Sequence, residues 1–126
     1  MSNGAVLLVE DSKDVRNVIA EIVSHFGYDV TKAIDGIDAW SKIAHHQYDL
    51  VISDMGLPNM GGEELVRKMR IENINIPVIL IAGVDIKKGK NKLDDLSHYS
   101  FIRKPFKIEE LQAEISRHLV SPGVKL

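Results

Sequence analysis

The chain has 126 residues, of which 44% are hydrophobic and 27% charged, and its formal net charge is −2 at pH 7. No apolar stretch approaches the roughly 20 residues of a membrane-spanning helix, and without cysteine the chain can form neither disulfides nor thiolate metal sites. Because the charge offers no general attraction to nucleic acid and the N-terminus lacks a secretory signal, we expect a cytoplasmic protein without direct nucleic-acid or membrane contacts.

The first half of the chain alternates short apolar runs with helical patterns. The run AVLLV at 5–9 predicts a strand, and Ser12 is a suitable N-cap for a helix after it. That helix has an apolar face made of Val15, Val18, Ile19, Ile22, Val23 and Phe26. YDVTKAI at 28–34 has strand character, and Asp35 can cap the next helix. We expect this second helix to bury Ile37, Trp40, Ile43 and Ala44.

The second half continues the same alternation. LVIS at 50–53 and IPVILIA at 76–82 predict the third and fourth strands, and FI at 101–102 the core of a fifth. The helix between the third and fourth strands uses Leu65, Val66 and Met69, and the last helix carries Ile108, Leu111, Ile115 and Leu119. Residues 84–99 contain few apolar anchors and a glycine, so we expect a short or loosely held helix there.

Alternating strands and helices, with continuously apolar strands, indicate an α/β fold with a parallel sheet covered on both faces. We expect one domain over 1–126, with its core at about 4–120 and a tail at 121–126.

Charged residues follow three of the predicted strands. Glu10 and Asp11 follow the first strand, Asp54 the third, and Arg103 and Lys104 the fifth. Ligands of open parallel sheets bind beyond the carboxyl ends of the strands. If the first and third strands are neighbours, each close pair of carboxylates there repels by about 4 kcal/mol at an effective dielectric constant near 20. A cation must then offset this repulsion, and oxygen ligands of this kind suit Mg²⁺.

Each of these residues also has an ordinary structural interpretation. Asp54 precedes a glycine and a proline, a context in which aspartate forms turns, and Glu10 and Asp11 precede a helix that acids can cap. Considered by itself, Lys104 before Pro105 is typical of a solvated loop residue. Their arrival at one edge of one sheet favours the functional interpretation for the set.

These residues resemble the receiver domain of two-component response regulators. The resemblance covers about residues 4–120 and rests on the pair Glu10-Asp11, on Asp54 followed by LPNMGG at 57–62, and on RKPF at 103–106. It implies a flavodoxin-like (βα)5 fold with five parallel strands in the order 2-1-3-4-5.

The resemblance also implies residue roles. Asp54 accepts a phosphoryl group from a histidine kinase or histidine phosphotransfer protein, and Mg²⁺ is bound by Glu10, Asp11, Asp54 and the main-chain carbonyl of Gly56. Lys104 pairs with Asp54 or with the phosphoryl group, and the bond from Lys104 to the following proline is commonly cis in the family. Any catalysis is at most self-catalysed phosphorylation and dephosphorylation of Asp54.

One position departs from the family pattern. Ala82 stands where the family has Thr or Ser, whose hydroxyl bonds the phosphoryl group and draws the following loop inward. A hydrogen bond to a charged group contributes roughly 1.5–3 kcal/mol, so we expect phosphorylation to survive while the switch weakens. Phe101 has the place of the family's aromatic switch residue, but on an apolar strand it reads as core.

Three alternatives remain at this stage. A pseudo-receiver would act as a phosphorylation-independent protein-interaction module. A metal-dependent phosphohydrolase would need a substrate cavity or cap, and the first strand lacks its D-x-D motif. A flavin binder is disfavoured because Glu10 and Asp11 would repel the cofactor phosphate. The kinase, the downstream target, the oligomeric state and any further domain are not indicated by the sequence.

Overall fold

The computed structural model describes residues 2–83 and 98–119. The helix expected within 84–99 falls largely on residues 84–97, which lie outside these ranges, as does the expected tail at 121–126.

The described residues form five strands and four helices. The strands are β1 (Ala5–Val9), β2 (Asp29–Ala33), β3 (Leu50–Asp54), β4 (Val78–Ala82) and β5 (Tyr99–Arg103). The helices are α1 (Lys13–His25), α2 (Gly36–His45), α3 (Gly62–Ile71) and α4 (Ile108–His118). Every strand predicted from the sequence is present, although β3 includes Asp54 and β5 extends to Arg103.

The strands form one parallel sheet in the order β2-β1-β3-β4-β5, which confirms the order implied by the resemblance. Val9 at the end of β1 lies opposite Ser53 of β3, so Glu10 and Asp54 follow at neighbouring positions. Ala82 at the end of β4 lies opposite Arg103 of β5. This register brings the charged ends of β1, β3 and β5 to one edge of the sheet.

Helices cover both faces of the sheet. Successive strand residues point to opposite sides, and because the strands are largely apolar, both faces carry side chains that must be buried. On one face, Leu7 and Leu80 pack with α2 and α3, whose buried residues are Ala39, Ile43, Leu65, Val66 and Met69. On the other face, Leu8 and Ile52 pack with α1 and α4, whose buried residues are Ile19, Ala20, Val23, Leu111 and Ile115. The predicted burial of the α3 residues is confirmed.

Both predicted N-caps are present. The Ser12 hydroxyl accepts a hydrogen bond from the Val15 amide at 3.4 Å, and the Asp35 carboxylate accepts one from the Asp38 amide at 2.7 Å. Each cap pairs a backbone donor that the first turn of a helix leaves without a partner.

The predicted burial of apolar residues was partly wrong in three helices. In α1, Val15 is 38% and Val18 is 58% exposed; in α2, Ile37 is 56% exposed and Ala44 is exposed; in α4, Ile108 is 50% exposed. In α1 the sheet covers the stripe around Ile19 and Val23, and the flank facing α4 stays open. In α2 the contact with the sheet is made by Ala39 and Ile43 instead.

Candidate functional site

Three carboxylates meet beyond the ends of β1 and β3. Glu10, Asp11 and Asp54 each present an oxygen atom, and these atoms all lie within 4.8 Å of one another. Glu10 is buried, Asp54 is half-buried and Asp11 is exposed. The convergence expected from the sequence is therefore present, and the exposed Asp11 leaves the cluster open to solvent on one side.

Lys104, the residue after β5, faces this cluster with its ammonium group. Its Nζ lies 3.6 Å from Glu10 Oε1 and 3.7 Å from Asp54 Oδ2, and its amide donates to the Ala82 carbonyl at 2.7 Å. The Lys104–Pro105 peptide bond is cis, as the resemblance implied. The sequence indicated the contact of Lys104 with Asp54 but not the contact with Glu10.

The environment of Glu10 disfavours its charged form. Burial raises the pKa of the Glu10 carboxyl, and its hydrogen bond with Asp11 and the nearby charge of Asp54 raise it further. The Ser12 amide, which donates to Glu10 Oε2 at 3.2 Å, and the Lys104 ammonium oppose this shift in pKa only in part. A cation placed among the three carboxylates would offset both burial and repulsion, so this donor set fits a hard divalent ion such as Mg²⁺.

The loop between β1 and α1 is supported from the helix. Arg16 Nη1 donates to the Glu10 carbonyl at 2.8 Å and makes a longer contact of 3.4 Å with the Asp11 carbonyl. The Glu10 amide donates to the Ala33 carbonyl of β2 at 3.0 Å. Sequence reasoning missed Arg16, because nothing in the local pattern separates it from an ordinary surface arginine.

The loop after Asp54 is packed closely against its neighbours. A Cβ atom on Gly62 would lie 2.7 Å from the Asp54 carbonyl, so glycine is needed for this approach. Asn59, with φ of 66°, donates to Asp35 Oδ2 at 3.0 Å and ties the loop to the start of α2. The Gly56 amide lies 3.5 Å from Asp54 Oδ1, while the role of the Gly56 carbonyl as a ligand stays a prediction.

Ala82 ends β4 beside the cluster and is buried, with 2% of its surface exposed. Its methyl group offers no donor to an anion, in contrast to the hydroxyl expected from the family pattern. Phe101 is half-buried, packs on the core, and meets the Tyr99 ring edge-on at 5.4 Å between ring centres. Both observations agree with a core role for Phe101 in this conformation.

A model of the response regulator receiver domain matches residues 6–116 of the chain. The chain belongs to this family. Receiver domains interact with histidine kinases or phosphotransfer proteins and typically bind Mg²⁺ at an acidic site. In this receiver domain, Glu10, Asp11 and Asp54 form an acidic cluster beyond the ends of β1 and β3.

Individual relatives agree with this assignment. Sporulation initiation phosphotransferase F of Bacillus subtilis is 30% identical over 122 residues, which cover 94% of this receiver domain and 96% of the relative. The uncharacterized transcriptional regulatory protein YkoG of B. subtilis is 34% identical over 125 residues, which cover 99% of this chain but 55% of YkoG. The receiver domain thus spans about half the length of that regulator.

Solved structures show the same fold. The receiver domain of the sensor histidine kinase PA1611 from Pseudomonas aeruginosa PAO1, described with a magnesium ion coordinated in its active-site cleft, is 30% identical with a TM-score of 0.83. The superposition covers 95% of this chain and 100% of that domain. Within residues 2–83 and 98–119, no helix has the length and apolar composition needed to cross a bilayer.

Proposed function

We propose that this receiver domain accepts a phosphoryl group on Asp54 from the phosphohistidine of a histidine kinase or histidine phosphotransfer protein. The observation that carries the proposal is the convergence of Glu10, Asp11 and Asp54 with the Lys104 ammonium at one sheet edge. Glu10 and Asp54 both contact Lys104, but Glu10 is buried whereas Asp54 is only half-buried. It is therefore accessible to a donor while remaining in contact with a cation.

In the transfer step, a carboxylate oxygen of Asp54 bonds to phosphorus while the P–N bond of the donor breaks. The electron pair of that bond stays on the imidazole nitrogen, which then takes up a proton from water. Phosphoryl transfer depends mainly on positioning and charge neutralisation, and Lys104 lies where it can follow the incoming anionic oxygens. Its flexible stem and 38% exposed side chain permit the small movement required.

Mg²⁺ would be held by the carboxylates of Glu10, Asp11 and Asp54 and by the main-chain carbonyl of Gly56. When bound, it supplies the positive charge that offsets the repulsion between the Asp54 carboxylate and the phosphoryl group. The tight cluster and the raised pKa of Glu10 support this assignment, because both disfavour three free carboxylates in the absence of a cation.

The experiment compares the wild type with Asp54→Asn during incubation with acetyl phosphate. We expect a Mg²⁺-dependent mass gain in the wild type and none in the variant. Glu21→Gln, which removes an exposed acid on α1 outside the cluster, is the control and should gain mass normally. No mass gain in the wild type with Mg²⁺ would reject phosphorylation and favour the phosphorylation-independent interaction module.

The donor protein would dock over the open flank between α1 and α4. This groove is lined by Asp14, Val15, Val18, Ile19, Ile22, Gly83, Lys104, Pro105, Phe106 and Ile108. Val18 is 58% and Ile108 is 50% exposed. Lys104 lines the groove and also contacts Asp54. A helix of the donor protein bound in the groove could therefore place its phosphohistidine next to Asp54.

Docking is tested with Val18→Asp and with Ile71→Asp as its control, since Ile71 is an exposed apolar residue at the far end of α3. We expect Val18→Asp to slow transfer from a phosphohistidine protein by more than tenfold, because it places a charge in an apolar contact. Loading from acetyl phosphate should be unchanged in both variants. Equal transfer rates for Val18→Asp and the wild type would reject this docking surface.

The response to phosphorylation should be weakened at Ala82, which lacks the hydroxyl that would bond the phosphoryl group. Ala82→Thr restores it, and Ala82→Val has the same shape without the hydroxyl. We expect the Gly83 amide to shift more on phosphorylation in Ala82→Thr than in Ala82→Val, as measured by NMR. Equal shifts would mean that a missing hydroxyl is not what limits this switch.

A further inference from the structure

We propose that Arg16 is a positioning residue for the metal site, acting through the main chain of Glu10 and Asp11. Its Nη1 atom contacts the carbonyl oxygens of both residues, at 2.8 and 3.4 Å. These are the consecutive residues whose side chains contribute two of the three clustered carboxylates. The inference rests on the Mg²⁺ site of the proposed function. It assigns to Arg16 the role of orienting the carboxylate ligands of that site.

The structural reason lies in how the loop after β1 is held. The β1 ladder ends with the Glu10 amide, which donates to the Ala33 carbonyl at 3.0 Å. Asp11 lies after the last of these ladder bonds and is exposed, so the direction of its side chain depends on the conformation of the loop backbone. A guanidinium that bonds both carbonyls restrains the peptide planes on either side of Asp11, and hence the direction of its carboxylate.

Arg16 is suited to this role because its own backbone is fixed. It lies in the first turns of α1, and its amide donates to the carbonyl of the N-cap Ser12 at 2.8 Å. The side chain is half-buried rather than free in solvent. The helix therefore provides a rigid base from which the guanidinium reaches back to the loop, much as outer partners orient metal ligands in other sites.

The positioning role and the charge of Arg16 have opposite effects on cation binding. As a nearby positive charge, Arg16 would repel Mg²⁺, so removing the charge alone should tighten binding. As a positioning residue, its removal lets the loop relax and should weaken binding. The direction of the change therefore separates the two roles without further assumptions.

The test is calorimetric titration of Mg²⁺ into the metal-free full chain. We expect Arg16→Met, which keeps the apolar stem, to bind Mg²⁺ about tenfold more weakly, at the lower end of the effects seen for outer partners of metal ligands. Arg16→Lys keeps the charge and can reach one carbonyl, so it should recover part of the loss. The charge control is Lys13→Met, an exposed neighbour on α1, which should bind as tightly as the wild type or tighter.

Affinity in Arg16→Met equal to or above that of the wild type would overturn the inference while leaving the proposed function intact. Asp11→Asn should abolish binding, and absence of Mg²⁺ binding in the wild type itself would overturn the metal part of both proposals. The urea midpoint of the metal-free protein checks that Arg16→Met remains folded. If it does not fold, Arg16→Lys decides: weaker Mg²⁺ binding supports the role, and wild-type affinity overturns it.

Discussion

The charge of the Glu10 carboxylate should lower the free energy of unfolding of the metal-free protein. The substitution Glu10→Gln should therefore raise that free energy. The Glu10 side chain is 3% exposed, and one of its oxygens lies within 4.8 Å of oxygens from Asp11 and Asp54. Lys104, at 3.6 Å, is the cation that contacts it. Replacing the carboxylate with a neutral amide removes two repulsions and one attraction, and keeps an oxygen that can accept from the Ser12 amide.

The distances set the size of the effect. At an effective dielectric constant of about 20, two unit charges 4.8 Å apart repel by about 3.5 kcal/mol, so the two acid pairs oppose folding by about 7 kcal/mol. The Lys104 pair at 3.6 Å attracts by about 4.6 kcal/mol at the same dielectric constant. Solvent screening reduces both this attraction and the repulsion from Asp11, because Lys104 is 38% exposed and Asp11 is exposed. After about 1 kcal/mol is allowed for a weaker hydrogen bond from Ser12, a net gain of about 1–2 kcal/mol remains.

Urea unfolding at pH 8 in EDTA measures this gain, with Glu21→Gln as a control for an exposed acid on α1. Because the pKa of Glu10 is raised in the folded state, the wild type loses stability as pH rises through that pKa. The advantage of Glu10→Gln should therefore shrink toward pH 5. Added Mg²⁺ should stabilise the wild type more than the variant. A variant less stable than the wild type in EDTA at pH 8, or an equal gain in Glu21→Gln, would refute the reasoning.

Three further predictions concern the fold. Gly36→Ala places a methyl group against the Met60 carbonyl and 2.6 Å from Met60 Cβ, and should destabilise by roughly 1–3 kcal/mol in urea unfolding; an unchanged midpoint would contradict this contact. Leu80→Ala removes a side chain that is fully buried on β4 and should cost about 2–5 kcal/mol, whereas a loss below about 1 kcal/mol would mean that the core collapses around the cavity. Burial lowers the pKa of His118, which bonds Ser100 at 2.8 Å, below its ordinary 6.5. The unfolded chain then binds the proton more readily, so stability should fall as pH drops below 6.5, by at most about 1.4 kcal/mol per pH unit. His118→Gln should remove this part of the slope, and identical slopes for variant and wild type between pH 7 and 5 would contradict it.

The local sequence pattern was sufficient to predict the strands and helices, and the edge of the sheet at which the acidic residues meet. Apolar runs predicted four of the five described strands, the strand character of residues 28–34 predicted β2, and Ser12 and Asp35 marked two helix starts. These signals are local because strand burial and helix capping depend on neighbouring residues. The clustering of Glu10, Asp11 and Asp54 followed from parallel strands ending at one edge. The strand order itself came from the family resemblance rather than from any local pattern.

Contacts between elements distant in sequence were decided by the tertiary structure alone. The periodicity of α1 treats Val18 and Val23 alike, yet Val23 is fully buried and Val18 is 58% exposed, because the space between α1 and α4 is left open. The same holds for Lys104, which contacts Glu10 as well as Asp54. The bonds from Arg16 to the carbonyls of Glu10 and Asp11 are close in sequence, but they depend on how the loop folds back over α1. Sequence spacing encodes which face of an element is apolar, whereas the packing of whole elements determines how much of that face is covered and which charged side chains meet.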